Sequence, residues 1–162
     1  RLMLARALVN DPDLIFMDEP TTGLDPQARH MIWQRLKALV SQGKTILLTT
    51  HFMDEAERLC DRLAVIDHGK MIAEGSPHSL IARHIESEVV EVYGEGARIW
   101  GDNLGRHQSV RVEISGETVF CYTNDAQQLL TSLHMTSDVR FVHRPANLED
   151  LFLKLTGREI RD

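Results

Sequence analysis

The stretch "LIFMDEPTTGLDP", residues 14–26, places two adjacent carboxylates directly after a short apolar run. The run "LIFM" at 14–17 is typical of a central parallel strand that is covered on both faces. Buried, unpaired carboxylates are very costly, so Asp18 and Glu19 need cations, hydrogen-bond donors or water at the end of this strand. For such a pair taken alone, a strand end that meets solvent is the more frequent explanation.

The residues that follow predict an alternation of helices and strands. Asp25 before Pro26 is an N-cap signal, and apolar residues at helical spacing then continue to about Val40. Gly43 ends this helix, and "TILLTT" at 45–50 predicts the next strand. A helix at 53–60 and strands at 63–67 and 70–75 complete the first half. Strand, helix, strand and helix in this order indicate an α/β fold, a parallel sheet with flanking helices.

The second half predicts a small α+β module. Strands are expected at "EVVEVYG", "VRVEIS", "TVFCYT" and "DVRFVHR", and amphipathic helices at "NDAQQLLTSLHM" and "NLEDLFLKL". The glycines between 94 and 109 favour loops there. We therefore divide the chain into residues 1–80, with the parallel sheet, and residues 81–162, with the α+β module.

His51 adds a third polar group at a strand end. It closes "LLTTH", and neighbouring parallel strands would bring it to the same sheet edge as Asp18 and Glu19. Because side chains alternate along a strand, one carboxylate can face a metal while the other faces an attacking water. Glu19 would then act as a general base, with His51 hydrogen-bonding a phosphate oxygen. A histidine at a strand end is, taken singly, more often structural, but the combination is far more specific.

Composition excludes several classes of function. The net charge of −6 gives no support to a nucleic-acid partner, and no apolar stretch approaches the length of a membrane span. Cys60 and Cys121 form no CxxC pattern, so neither a zinc site nor a disulfide framework is predicted. The chain does not begin with Met and starts within a helical pattern, so we expect it to be a fragment.

"LIFMDEP", "TTGLDP" and "LLTTH" together resemble the Walker B segment, D-loop and switch histidine of ATP-binding-cassette (ABC) ATPases. The resemblance implies that Asp18 helps to hold Mg²⁺, usually through water, that Glu19 is the catalytic base, and that His51 senses the γ-phosphate of ATP. It also implies that Gly23, Leu24 and Asp25 form the loop at a dimer interface, with Asp25 contributing to the nucleotide site.

The phosphate-binding loop of the family is absent from this sequence. The nearest imitation of G-x-x-x-x-G-K-[ST] is "ALVSQGKT" at 38–45, which has Ala38 in place of the first glycine. It lies between a helix and a strand, the reverse of the strand-loop-helix order that aims backbone N–H groups at phosphates. We reject it as a phosphate loop and expect the fragment alone neither to bind ATP tightly nor to hydrolyse it.

The module that ends in "RPANLEDLFLKLTGRE", residues 144–159, resembles the C-terminal extension of ABC-2-type exporter ATPases. Along the whole chain, "LDPQARHMIWQRLKAL", "HFMDEAERLCDRLAVI" and "VEISGETVFCY" are similar to the nodulation ATP-binding proteins. This resemblance implies an ATPase in the intact protein, a homodimer of two ATPase subunits on the cytoplasmic face of the inner membrane, and a separate integral membrane permease. The implied cargo is a lipo-chitooligosaccharide, with drug or polysaccharide export as the alternative.

Two other interpretations remain open on the residues alone. A soluble ABC ATPase of repair or translation would keep the chemistry without transport. An interaction or regulatory module without catalysis would use residues 86–162 to bind a partner. The presence of Asp18, Glu19 and His51 together argues against the second of these, because a non-catalytic copy needs none of them.

Overall fold

The computed structural model describes residues 6–104 and 110–157 of the chain. Contacts within it define two compact units, Arg1–Asp61 and Arg62–Asp162. The domain boundary predicted after residue 80 stays a prediction.

A parallel pair of strands forms the centre of the first unit. Strand β1 (Leu14–Asp18) pairs with β2 (Thr45–Thr49), so that Asp18 lies opposite Thr49. Helix α1 (Pro26–Ser41) connects the two strands, and helix α2 (Met53–Leu59) follows β2. A parallel pair needs such a crossover connection, and the βαβ unit predicted from the sequence is confirmed.

Helix α1 buries one stripe of its surface. Its buried side chains follow helical spacing, at Ala28, Ile32, Trp33, Leu36 and Leu39. Three of these, Ile32, Leu36 and Leu39, form a cluster with Ile15 of β1, against which Leu24 and Leu59 pack. The loop that follows β1 and the end of α2 are therefore held to the same small core as the strand.

The prediction that β1 is covered on both faces is wrong for this structure. Ile15 is 3% exposed, but Phe16 is 69% exposed and Leu47 of β2 is 59% exposed. Period-2 alternation puts Ile15 and Phe16 on opposite faces of the pair, and α1 covers the face of Ile15. An apolar run such as "LIFM" predicts the strand, but the number of covered faces depends on which residues pack there.

Strands β3 (Leu63–Asp67) and β4 (Lys70–Gly75) open the second unit as an antiparallel hairpin. Helix α3 (Pro77–His84) comes next, and its N-cap Ser76 accepts a hydrogen bond from the Ser79 amide at 3.2 Å. The sequence carries the same cap-and-proline signal here as at residues 25–26, although no helix was predicted at this position.

A four-stranded antiparallel sheet forms the rest of the second unit, in the order β6-β7-β5-β8. The strands are β5 (Glu88–Tyr93), β6 (Arg111–Ser115), β7 (Thr118–Thr123) and β8 (Arg140–Pro145), and the helices are α4 (Ala97–Leu104), α5 (Gln127–His134) and α6 (Leu148–Thr156). One sheet face packs on α4 and α5 through Val90, Val119 and Leu129. The predicted α+β module is confirmed.

Helix α4 corrects the prediction of loops at 94–109, of which 105–109 lie outside the described residues. Ala97, Trp100, Gly101 and Leu104 share one face of this helix at spacings of three and four. Gly101 is there because α4 approaches the sheet closely, and a Cβ at this position would lie 2.9 Å from a methyl group of Val119. Glycine signals close packing here, not a turn.

Candidate functional site

The carboxyl ends of β1 and β2 bring together Asp18, Glu19 and His51. The backbone amide of Glu19 donates to the Thr49 carbonyl at 3.0 Å, which continues the pairing of the strands by one residue. The hydroxyl of Thr49 donates a hydrogen bond to Asp18 Oδ1. The predicted convergence of the three residues on one sheet edge is therefore seen, and all three are exposed.

Glu19 contacts His51 directly. His51 Nδ1 lies 3.1 Å from Glu19 Oε1, and the Thr22 hydroxyl donates to Glu19 Oε2 at 3.1 Å. A carboxylate only accepts hydrogen bonds, so the contact with His51 is a hydrogen bond when Nδ1 carries the proton. Both oxygens of Glu19 are thus oriented by partners on two different loops, while roughly half of each side chain, 46% for Glu19 and 55% for His51, faces solvent.

The sequence predicted the direction of the Glu19 side chain from strand alternation, and that reason is wrong. β1 ends at Asp18, and Glu19 has a φ of 44°, in the left-handed region that residues with a side chain seldom adopt. Such a conformation costs on the order of 1–3 kcal/mol and clusters at functional sites. The turn after the strand therefore sets where Glu19 points.

Residues 21–25 lead from Glu19 into helix α1. The Thr22 amide donates to the Glu19 carbonyl at 3.2 Å, and the Leu24 amide donates to the Thr21 carbonyl at 3.2 Å. Gly23 has a φ of 75°, with no heavy atom within 4 Å of a Cβ placed there, so its backbone conformation and not space demands glycine. Leu24 packs on the core of the unit.

Asp25 caps helix α1. Its Oδ1 accepts a hydrogen bond from the Ala28 amide at 2.9 Å, and Pro26 occupies the first helical turn. This is the N-cap predicted from the sequence, and it ties the loop to the helix start. Roles of Gly23, Leu24 and Asp25 at a dimer interface are not decided by these contacts and stay predictions.

A buried carboxylate beneath the loop was missed in the sequence. Glu55 of α2 is 0% exposed, and its Oε1 accepts hydrogen bonds from the Thr21 hydroxyl and from Trp33 Nε1, both at 2.8 Å. Loss of this acceptor would leave two buried donors unsatisfied, at a cost of about 1–3 kcal/mol each. The available signal was spacing: Glu55 shares a helix face with Leu59, which packs on the core.

Lys44, from the rejected imitation of a phosphate loop, lies at the other end of the strands. Its Nζ is 2.8 Å from Asp11 Oδ1 and 3.5 Å from Asp13 Oδ1, beside the residues that begin β1 and β2. The hydrogen bond that Lys44 donates to the Asp11 carboxylate raises the pKa of Lys44. This lysine serves a local ion pair, in agreement with the rejection.

The Asp18 carboxylate suits one common way of binding Mg²⁺, in which water and substrate phosphates supply the other ligands. Mg²⁺ takes oxygen ligands, keeps several waters and is commonly held by one or two carboxylates together with substrate phosphates. Asp18 is an exposed carboxylate with a hydroxyl neighbour, which fits that mode. Within residues 6–104 and 110–157, no group of three His, Cys, Asp or Glu side chains is placed to hold a metal ion by itself.

None of the helices in the described part of the chain is long and apolar enough to cross a membrane.

Comparison with known proteins supports the resemblance stated from the sequence. Residues 97–157 match the family model for the C-terminal domain of the nodulation factor export protein NodI. The Nod factor export ATP-binding protein I of Cupriavidus pinatubonensis is 64% identical over 162 residues, 100% of this chain and 50% of that protein. The protein of the same name from Rhizobium sp. strain N33 is 58% identical, covering 99% of this chain and 52% of the relative.

Among solved structures, the chain is similar to one described as the ATP-binding subunit of an ABC transporter. The two are 36% identical, with a TM-score of 0.41 over 44% of this chain and 30% of that one. The chain spans about half the length of the curated relatives it matches. The resemblance to the Nod factor export ATP-binding proteins I is confirmed.

Proposed function

We propose that the chain is the C-terminal half of an ATP-hydrolysing subunit of an ABC exporter. One observation carries the proposal: the contact of Glu19 with His51, beside Asp18, at the carboxyl ends of two parallel strands. In open α/β sheets this edge is where ligands bind. The identity of 64% to a Nod factor export ATP-binding protein supports ATP as the substrate of this site.

Glu19 acts as the general base in this proposal. It accepts a proton from the water that attacks the γ-phosphate, an effect usually worth roughly 10²–10⁴-fold in rate. His51 and Thr22 hold its two carboxylate oxygens, so that the base enters the reaction with its orientation fixed. His51 lies close enough to Glu19 for the two to serve one phosphate and one water.

Asp18 would hold Mg²⁺ through water, and the ion would supply positive charge against the phosphates of ATP. The hydroxyl of Thr49 keeps the Asp18 carboxylate in place at the strand end. The phosphate loop and signature motif must come from residues beyond these 162, since the motif G-x-x-x-x-G-K-[ST] does not occur here. The site proposed for this chain is therefore one part of a composite ATP site.

Two such subunits would close around two ATP molecules, with Gly23, Leu24 and Asp25 at the interface. Closure and reopening would drive a separate integral membrane permease between its access states. The ATPase would lie at the cytoplasmic face of the inner membrane as a peripheral subunit.

We propose a lipo-chitooligosaccharide of the nodulation-factor type as the cargo. Support comes from both halves of the chain, because the 64% identity spans all of it and the family model of the NodI C-terminal domain covers residues 97–157. Export of a drug or a polysaccharide is the alternative, because related exporters share much of this sequence pattern.

The experiment is to delete the gene in its native strain and to restore it on a plasmid. Lipo-chitooligosaccharides are measured inside and outside the cells by mass spectrometry. The proposal predicts intracellular accumulation in the deletion strain, reversed by the wild-type gene but not by a Glu19→Gln copy. If lipo-chitooligosaccharide levels are unchanged and an exported polysaccharide is lost, the polysaccharide is the cargo, and the proposed exporter function stands. If the Glu19→Gln copy also restores export, the proposed requirement for ATP hydrolysis is contradicted.

A further inference from the structure

Glu55 connects the two loops of the candidate site. It lies in the first turn of α2, four residues after His51, and accepts a hydrogen bond from Thr21, two residues after Glu19. Both Thr21 and Glu55 are 0% exposed. A single buried carboxylate thus joins the segment that carries the base to the segment that carries the histidine.

The contact is built as a fixed connection. Glu55 Oε1 accepts from Thr21 and from Trp33 at 2.8 Å each, while Glu55 Oε2 has no hydrogen-bond partner among the described residues. Trp33 belongs to α1, so one oxygen atom ties α2 both to the loop and to the helix that the loop enters. Buried hydrogen bonds of this kind restrict a segment to one arrangement.

We propose that Glu55 is a positioning residue, which keeps Glu19 and His51 in contact by holding Thr21. The inference rests on the proposed ATPase function. Glu19 has a left-handed backbone conformation that its own residue type disfavours, so an external constraint on the following residues is needed to maintain it. Thr21 supplies that constraint, since its carbonyl also accepts from the Leu24 amide within the same turn.

The two donors to Glu55 allow a matched comparison in the full-length protein. Thr21→Val removes the hydroxyl and keeps the shape, which frees the loop beside Glu19. Trp33→Phe removes the other donor to the same oxygen, but on helix α1, away from the loop. The two variants lose the same kind of bond to the same atom and differ in which segment is released.

The expected result is a difference in kcat. Thr21→Val lowers the kcat of ATP hydrolysis at least about tenfold with KM for ATP within about twofold, because a small misplacement of a catalytic group can cost up to about 10²-fold. Trp33→Phe lowers the melting temperature and leaves kcat within about twofold. Thr21→Ser, which keeps the hydroxyl, is expected to retain most of the wild-type kcat. An equal fall of kcat in Thr21→Val and Trp33→Phe would overturn the inference.

Glu55→Gln separates positioning from chemistry. Glutamine keeps an oxygen that accepts from Thr21 and Trp33, and its amide group replaces the oxygen without a described partner. Turnover in Glu55→Gln is therefore expected within about threefold of wild type. A loss as large as that in Glu19→Gln would show that the Glu55 carboxylate takes part in the chemistry and would overturn the positioning role.

Hydrogen exchange gives a readout that does not depend on hydrolysis. In Thr21→Val, the amides of Thr22 and Leu24 should exchange at least several-fold faster, while Trp33→Phe leaves them at the wild-type rate. Failure of the proposed function would appear as no hydrolysis by the wild-type protein. Failure of this inference would appear as unchanged exchange of the loop amides in Thr21→Val.

Discussion

Asp25 shows how one side chain at the residue scale combines a structural and a proposed functional role. Its carboxylate accepts the Ala28 amide at the start of α1, and it also matches the loop at the predicted dimer interface. The two roles are separable because the cap needs an oxygen acceptor, whereas recognition by a second subunit would use the charge.

We predict that Asp25→Ala lowers the free energy of unfolding of this chain by about 1 kcal/mol, the usual value of an N-cap. Asp25→Asn keeps the acceptor and should change stability by only a few tenths of a kcal/mol. Urea denaturation followed by circular dichroism measures both. Equal destabilisation by the two variants would show that the charge, not the cap, matters for the fold.

At the element scale, Glu86 joins three parts of the second unit. Its carboxylate accepts from the Arg111 guanidinium of β6 at 3.1 Å and from Lys154 of α6 at 3.3 Å. Glu86 itself lies two residues before the start of β5. Burial alone would raise the pKa of Glu86, but the hydrogen bond and charge of Arg111, together with a backbone hydrogen bond and the hydrogen bond from Lys154, outweigh it and lower the pKa to about 2.

This shift predicts a pH dependence of stability. Because the pKa of Glu86 is lower in the folded state, its contribution is present above about pH 4.5, the ordinary value, and is lost as the pH falls towards 2. The free energy of unfolding should therefore fall more steeply across this range in wild type than in Glu86→Gln. If the free energy of unfolding depends on pH in the same way in both proteins, Glu86 is excluded as the source of that dependence.

Close packing of α4 on the sheet gives a second prediction at this scale. Gly101→Ala would put a methyl group 2.9 Å from Val119, and such overpacking costs about 1–3 kcal/mol. Asn103→Ala, at an exposed position of the same helix, should be neutral or slightly stabilising, because alanine favours helices. Thermal denaturation of both variants tests the assignment of α4, and a stabilised Gly101→Ala variant would contradict it.

These elements also show what the sequence could and could not predict. Caps and periodicity predicted α1, both central strands and the whole sheet of the second unit, because those signals are local. The same local signals failed at α4, where glycine marks an approach between distant residues. In the site, Asp18, Glu19 and His51 were found from strand ends, whereas Glu55 in the acidic run "MDEAER" was missed, because its spacing of four from Leu59 is only a weak sign of burial.

At the scale of the whole molecule, the exposed apolar residues and the composite site lead to one expectation. Phe16 and Leu47 are exposed on one face of the β1–β2 pair, and no phosphate loop motif occurs in the 162 residues. The relatives are about twice as long as the chain. We expect that additional residues of the full-length protein cover this face and bind the phosphates.

The chain of 162 residues is therefore predicted not to bind ATP with micromolar affinity in isothermal titration calorimetry, with Mg²⁺ present. Backbone N–H groups of a glycine-rich loop supply most phosphate contacts in such proteins, and this chain has no such loop. The full-length protein is the positive control. Micromolar binding by the chain alone would show that the phosphates are held by residues described here.

Kinetics of a Glu19 variant decide whether Glu19 is the general base of an ATPase. Steady-state ATP hydrolysis and nucleotide binding are measured for the full-length protein, for Glu19→Gln, and for Glu57→Gln as a control at an exposed glutamate of α2. We predict nearly unchanged ATP binding and turnover lowered at least about 10²-fold in Glu19→Gln, as expected for loss of a general base, with Glu57→Gln close to wild type. Near-normal turnover in Glu19→Gln would remove Glu19 from that role.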